Sequence, residues 1–432
     1  MHAYIEDLKN HVGQTVQLKG WLYNKRSKGK LHFLIVRDGT GFCQCVVFKG
    51  NVDDKTFDLC DKIPQESSVT VEGVVKKEDR APGGHELDAK SVTLVTPSEG
   101  NYPIQIQDVV PEVNFLMQNR HLWLRSRKPW ATMRIRASII RAMREFLDSR
   151  GFLCIDSPIL TPAACEGTTT LFEVKYFDDF AYLSQSGQLY NEAHAMALGR
   201  VYCFGPTFRA EKSKTRKHLM EFWMIEPEVA YLELDGLMEL EEQFTTHIVQ
   251  RVLETRKEEL KVLERDTSKL EKIKPPFPRI HYNDAVKKVN ESGVEMKWGD
   301  DFGAPQEEAV TKDLDRPAFV HRFPSAIKAF YMQPDPQDPK HALCADMIAP
   351  EGYGELIGGS QRIHDFNLLK SRIEHEKLPM DAFQWYLDLR RYGTVPHSGF
   401  GMGIERTVAW ICGTEHIREC IPFPRMLYKI YP

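Results

Sequence analysis

Two stretches far apart in the chain hold the side chains best suited to chemistry. Phe204-Gly-Pro-Thr-Phe-Arg-Ala-Glu211 runs through a basic loop, Lys212 to Lys217, into His218-Leu-Met-Glu-Phe-Trp-Met-Ile-Glu-Pro-Glu228, and the second stretch is Gly399-Phe-Gly-Met-Gly-Ile-Glu-Arg406. Side chains alternate along a strand, so Arg209 and Glu211 share one face, as do Phe222 and Glu226 on the strand after the loop. If these strands pair as a hairpin, one surface carries Arg, Glu, Phe and Glu. That set suits attack of a carboxylate on the α-phosphate of ATP, where charge builds on a five-coordinate phosphorus. Arg209 offers a planar fork of donors for a phosphate oxygen and the carboxylate. Phe222 offers an apolar plate for adenine, and Glu211 an acceptor for its exocyclic amine. Gly399, Gly401 and Gly403 leave one strand face bare, a floor for a bent nucleotide. Arg406 follows at the start of the apolar segment Thr407 to Cys412, placed for the β/γ-phosphates. The run is no dinucleotide fingerprint, because it reads G-x-G-x-x-R with Arg406 where the third glycine belongs.

Elements must exist to hold these residues. Thr15 to Leu22, His32 to Val36, Phe42 to Phe48, Ser68 to Val75 and Lys90 to Val95 alternate as five short strands, which predicts an all-β OB-fold barrel over residues 1–103. Residues 104–130 read as a hinge linker, and 131–432 as a second domain. From Met133 the pattern turns helical, with Ile139, Ile140, Met143, Phe146 and Leu147 on one stripe, Gly151 as a stop and Phe152 to Pro158 as a strand. Between about Glu254 and Ala318 the chain is charged and poorly patterned, and reads as a helical continuation and insertion. At 432 residues and 42% hydrophobic content the chain supports two or three domains with a sizeable core. No apolar run reaches the length of a membrane span and no signal peptide opens the chain, so a cytoplasmic protein without membrane contact is expected. Nine scattered cysteines fit reduced thiols, and Cys43-Gln-Cys45 lacks the spacing of a zinc knuckle. The net charge of -4 argues against an all-over basic surface. Two local patches remain, Lys25, Arg26, Lys28 and Lys30, and Lys212, Lys214, Arg216 and Lys217.

The ordered motifs resemble those of the class II aminoacyl-tRNA synthetases, in particular the aspartyl/asparaginyl subgroup, from Val16 to the terminal Ile421-Pro-Phe-Pro-Arg-Met426. The resemblance implies an α+β catalytic domain with a mainly antiparallel sheet, ATP and Mg2+ as cofactors, and a homodimer formed through the helix and strand after Met133. It implies that Arg209 and Arg406 are catalytic and that the barrel binds the anticodon, with Phe33 stacking a base, Gln44 reading an edge and Arg26 nearby. Read alone, Phe33 is a core aromatic. For the amino acid it implies Glu166, Ser186 and Gln188 at the ammonium and main-chain end, and Arg362 at the side-chain oxygen. Where aspartyl enzymes of the subgroup carry a lysine, this chain has Asn191. A carboxylate facing one cation instead of two loses a partner, so a carboxamide is the better guest, and Glu226 would accept its NH2 while repelling an acid. L-asparagine and tRNA(Asn) follow as substrates. Asp346 and Glu355 match magnesium ligands, with Gly358 where relatives often supply a serine. His218 faces either the γ-phosphate or only its own loop.

Other readings stay open beside this one: an aspartyl-tRNA synthetase, disfavoured by Asn191; an ATP-dependent asparagine synthetase, whose relatives lack the barrel; and a nucleic-acid-binding OB protein with a degenerate synthetase domain, disfavoured by intact Arg209, Phe222, Glu355 and Arg406.

Overall fold

In Leu31–Arg37 the side chains of His32, Leu34 and Val36 are buried and those between them are not, the two-residue period of a sheet with one wet face. Four more strands follow the same rule. With β1 (Thr15–Lys28), β2 (Leu31–Arg37), β3 (Phe42–Phe48), β4 (Ser68–Lys77) and β5 (His85–Thr96), they close a barrel in the order β1-β2-β3-β5-β4. Pairing is antiparallel except where β3 runs beside β5. Leu18, Leu34, Val36, Cys43, Cys45, Val47 and Val71 fill the barrel. β1 runs beyond the expected Leu22, after a bulge between Leu22 and Asn24, because the charged run Lys25 to Lys28 pairs through its backbone with β2 while its side chains stay wet.

The structure, a computed structural model, describes residues 1–106, 111–166, 170–213 and 215–432. Lys214 of the basic loop, Gly167 to Thr169 beside Glu166, and residues 107–110 of the expected hinge lie outside the described residues. The chain divides into Met1–Trp123, which contains the barrel, and Leu124–Pro432, so the division falls inside the stretch read as a hinge. Among the described residues no helix is long and apolar enough to cross a membrane.

The second unit is built on β6 (Leu153–Cys154), β10 (Arg200–Phe208), β11 (Glu221–Ala230), β12 (Arg279–His281), β13 (Ala318–His321), β14 (Cys344–Ala349), β15 (Gly354–Gln361) and β16 (His397–Gly403). They form one sheet in the order β12-β13-β14-β15-β16-β11-β10-β6, antiparallel except for the edge pairs β12–β13 and β6–β10. A small sheet of β7 (Leu160–Thr161), β8 (Glu173–Tyr176) and β9 (Asp179–Leu183) stands apart from it. The helices Arg127–Asp148 and Leu234–Thr255 cover one face of the large sheet, where Phe146, Phe244 and Phe400 pack ring to ring at 5.3 and 5.5 Å.

The stripe after Met133 is mostly used in the unit's own core, with Ile139, Met143, Phe146 and Leu147 fully buried. The strand expected over Phe152 to Pro158 pairs only at Leu153–Cys154, since the chain turns away at an edge before a proline that has no N–H to give. The poorly patterned segment after Glu254 is ordered as helices plus edge strand β12, with Tyr282, Ala285, Val289 and Val310 in a core of their own.

Candidate active site

The hairpin β10–β11 exists in the register Thr207 to Phe222 and Cys203 to Glu226. Along β11, alternation sends Ile225 and Val229 into the helix-covered core, so Phe222, Met224, Glu226 and Glu228 all face the other way. Arg209 lies one residue past β10, its N–H donating to Met220 O at 3.0 Å. Its guanidinium stands 5.5 Å from the Phe222 ring centroid, and its Nε is buried with no hydrogen-bond partner among the described residues. Against the effect of burial, Glu166, Glu211 and Glu355 hold its pKa above the ordinary arginine value.

Arg209, Glu211, His218, Phe222, Glu355, Gly401, Gly403 and Arg406 line one cavity together with Lys217. Arg406, third residue of the helix Ile404–Cys412, donates to Glu355 O at 3.0 Å and sits 3.6 Å from a Glu355 carboxylate oxygen. His218 is tied to its own loop through Ser213 Oγ at 3.2 Å and Thr215, while its Nε2 lies 3.5 Å from Glu211. Burial, and then Arg406, lowers its pKa.

A second cavity opens from the first across Arg209, Met224, Glu355 and Gly401, and is lined by Glu166, Ser186, Gln188, Glu226, Glu228, Asp346 and Arg362. Glu226 is fixed by donors from Ser186 Oγ, from Gly187 N at 2.8 Å and from Cys203 Sγ at 3.4 Å, and burial raises its pKa. Glu166 accepts from Tyr331 Oη at 3.0 Å. Arg362 clamps both oxygens of Glu228 at 3.0 and 2.9 Å and reaches Ser360 Oγ at 2.7 Å. Among the described residues, seven carboxylates (residues 166, 226, 228, 301, 346, 355 and 376) against three cations (residues 209, 328 and 362) make the lining formally four units negative.

Asn191 departs from the sequence expectation. It is fully buried and does not line the cavity, because its amide is spent behind the wall, donating to Glu226 O at 2.8 Å and to Cys203 Sγ at 3.2 Å. It supports Glu226 from behind.

Asp346 and Glu355 converge over Gly358, where a β-carbon would stand 3.0 Å from Glu355 Oε1 and 3.8 Å from Asp346 Oδ1. Burial, opposed by Lys328 at 2.7 Å and reinforced by Glu355, pushes Asp346 up to about 7. Two mutually repelling oxygen ligands with a cleared space between them fit a divalent cation whose other ligands are phosphate and water.

On the barrel, Phe33 turns outward rather than into the core. It is half-buried beneath the Arg26 guanidinium at 4.6 Å, in register with Arg26 across β1–β2. Gln44, opposite Ile35 on the same outer face, gives its NH2 to Glu86 at 3.0 Å.

The family described as tRNA synthetases class II (D, K and N) matches residues 112–427, and the OB-fold nucleic acid binding domain matches residues 16–95. An asparagine–tRNA ligase of Pelotomaculum thermopropionicum is 57% identical over 99% of both chains, and one of Chloroflexus aurantiacus is 58% identical over 100% of this chain and 99% of its own. The chain belongs to the asparagine–tRNA ligase family of class II tRNA synthetases. A crystal structure of asparaginyl-tRNA synthetase from Pyrococcus horikoshii, complexed with asparaginyl-adenylate, superposes with a TM-score of 0.95 at 45% identity over the whole of both chains.

The segment after Glu254 also reaches the site, which sequence reasoning missed. Glu307 accepts from Lys217 Nζ at 3.1 Å and from Glu355 N at 3.2 Å, and Asp301 lines the second cavity, as does Lys328 just beyond the segment. Glu228 was missed as well, although it ends the stretch first singled out and shares the face of Phe222 and Glu226. Its clamp depends on Gly399: a β-carbon there would lie 1.9 Å from Glu228 Oε2. Gly399→Ala is therefore expected to break the Arg362–Glu228 pair and lower folding stability by about 3 kcal/mol or more. Urea unfolding measures this, and an unchanged midpoint would mean the pair tolerates the intrusion.

Proposed function

We propose that the chain activates L-asparagine with ATP, forming asparaginyl-adenylate and pyrophosphate, and passes the asparaginyl group to the 3'-terminal ribose of tRNA(Asn). One observation carries this reading. Among the described residues, three cations line the second cavity: Lys328 is taken by Asp346 and Arg362 by Glu228, whereas Arg209 keeps an unpaired donor where the two cavities meet. An α-phosphate attacked by a carboxylate belongs at that junction, with Arg209 binding both reactants as charge grows on phosphorus. The carboxylate is already ionised, so the first step needs no base.

Phe222 and Glu211 hold adenine, Gly401 and Gly403 form the floor, and Arg406 and His218 meet the outer phosphates. Asp346 and Glu355 would hold Mg2+, which when bound neutralises phosphate charge. Glu166, Ser186 and Gln188 receive the ammonium end of the amino acid. Arg362 donates to the side-chain oxygen and Glu226 accepts from its NH2, with Asn191 bracing Glu226. Because Glu228 already balances Arg362, the site offers no spare positive charge to an aspartate side chain. The barrel, over about residues 1–103, reads the anticodon through Phe33, Gln44 and Arg26, and a linker over 104–130 joins it to the catalytic part. The chain works as a homodimer in the cytoplasm. Apolar Leu153, Ile159 and Leu160, each more than two-fifths exposed, support pairing at that edge, and nine free thiols support a reducing compartment.

ATP-pyrophosphate exchange without tRNA should proceed with asparagine and not with aspartate. Exchange with aspartate instead would identify an aspartyl enzyme, and none with either would favour a binding protein. The preference should also narrow on acidification. Burial raises the Glu226 pKa, so this group takes up its proton at a higher pH than an ordinary carboxylate, and its repulsion of an acid fades early. A ratio of kcat/KM values for the two amino acids that stays flat as pH falls would remove Glu226 from discrimination. On the barrel, Phe33→Ala should raise KM for tRNA about tenfold, the scale of one lost base stack, and leave asparagine-dependent exchange intact. Unchanged tRNA use would assign Phe33 to barrel packing.

A further inference from the structure

Behind the Gln188 wall of the pocket lies a carboxylate that the reaction as described does not use. Glu192 has no exposed side-chain surface and stands four residues on from Gln188 in the helix Gln188–Leu198. Four donors converge on it. Gln188 Nε2 at 3.2 Å and Tyr386 Oη at 2.7 Å share Oε1, while Arg390 and His397 Nε2, the latter at 2.8 Å, share Oε2. Burial works against ionisation, but Arg390 and then His397 hold the carboxyl well below the usual range. An ionised carboxylate only accepts hydrogen bonds, so Gln188 can face it only through NH2, and the carbonyl oxygen must point the other way.

We propose that Glu192 is a positioning residue for amino-acid recognition, which locks the Gln188 carboxamide with its carbonyl oxygen turned into the pocket toward the α-ammonium. This rests on the reading of that cavity as the asparagine site. An ammonium has only donors, and a freely turning carboxamide would offer it NH2 part of the time. The same hub braces the opposite end of the substrate. Arg390 Nε donates to Ile363 O at 2.8 Å, and Arg362 N donates to His397 O at 2.9 Å, so the residues facing the ammonium and the side chain share one buried support.

Glu192→Gln tests the lock, because it keeps the shape and reverses the polarity. The NH2 of the new carboxamide faces Gln188, whose own amide turns over and presents NH2 to the ammonium. In tRNA-free pyrophosphate exchange, KM for asparagine should rise at least about tenfold, the scale of a lost hydrogen bond to a charged group, with KM for ATP nearly unchanged. Inhibition by succinamate, which is asparagine without its α-ammonium, should stay as in the wild type. Exchanging the pair, Gln188→Glu with Glu192→Gln, returns an acceptor oxygen to the pocket and should recover most of the loss. Equal weakening of asparagine and succinamate, or no recovery in the exchanged pair, would overturn the proposal and leave Glu192 as a structural brace. Should Glu192→Gln fail to fold, the exchanged pair decides alone: it must prefer asparagine over succinamate as strongly as the wild type does. Absence of wild-type exchange with asparagine would refute the reading of the cavity, whereas wild-type exchange with an unmoved KM in Glu192→Gln would refute only the role of Glu192.

Discussion

A guanidinium and a carboxylate, both almost wholly out of water, set the terms for the rest of the catalytic unit. The side chains of Arg362 and Glu228 are 4% and 1% exposed. Withdrawing two such ions from water costs several kcal/mol each, and only good geometry with additional hydrogen bonds offsets it. That demand is met by three strands at once. β11 supplies Glu228, the end of β15 supplies Ser360 and leads into Arg362, and β16 stays bare at Gly399 so that the carboxylate has somewhere to lie. Strand order and glycine placement in the middle of the sheet thus follow from one buried pair.

The pair also sets what the cavity accepts. Arg362 still offers directional donors, but its charge is already balanced, and the remaining lining is net negative. A side chain that needs one acceptor and one donor group fits such a place, and a second carboxylate does not. On the proposed reading, selectivity lies in what is left unpaired rather than in shape, and the neutral guest needs no bulky residue to exclude the charged one.

Most of the first cavity was legible because its residues lie on two strands whose alternation is plain. Arg209, Phe222, Gly401 and Arg406 do meet in one cavity. Phe33 was harder. An aromatic in a barrel strand reads as core, and only the burial of its neighbours His32 and Leu34 on the opposite face decides that it points out. Asn191 misled for a different reason: its position along the helix is right for the pocket, but a short amide satisfied by a backbone carbonyl behind the wall never reaches it. Glu307 and Asp301 were out of reach, since they come from a segment whose charge pattern hides its fold and they meet the site only through contacts distant in sequence. Glu307 and Lys217, for example, are 90 residues apart.

The same accounting of partners explains where the reaction's charge can go. Buried Glu241 has no hydrogen-bond partner among the described residues, but other buried anions in the unit meet cations: Glu228 meets Arg362, Glu192 meets Arg390 and His397, and Glu405 meets Arg136 at 2.8 Å. Each match is made when the chain folds, so none of these groups must move or be desolvated when substrates arrive. Arg209 differs at the junction of the two cavities, where its buried Nε has no acceptor among the described residues. An unmet buried donor costs about 1–3 kcal/mol, and on the proposed reading an anionic oxygen of the substrates takes that place. A ground-state phosphate meets part of that need. The five-coordinate phosphorus, with more charge on its oxygens, meets it better, and an interaction that strengthens along the reaction coordinate is the kind that lowers a barrier rather than merely tightening binding.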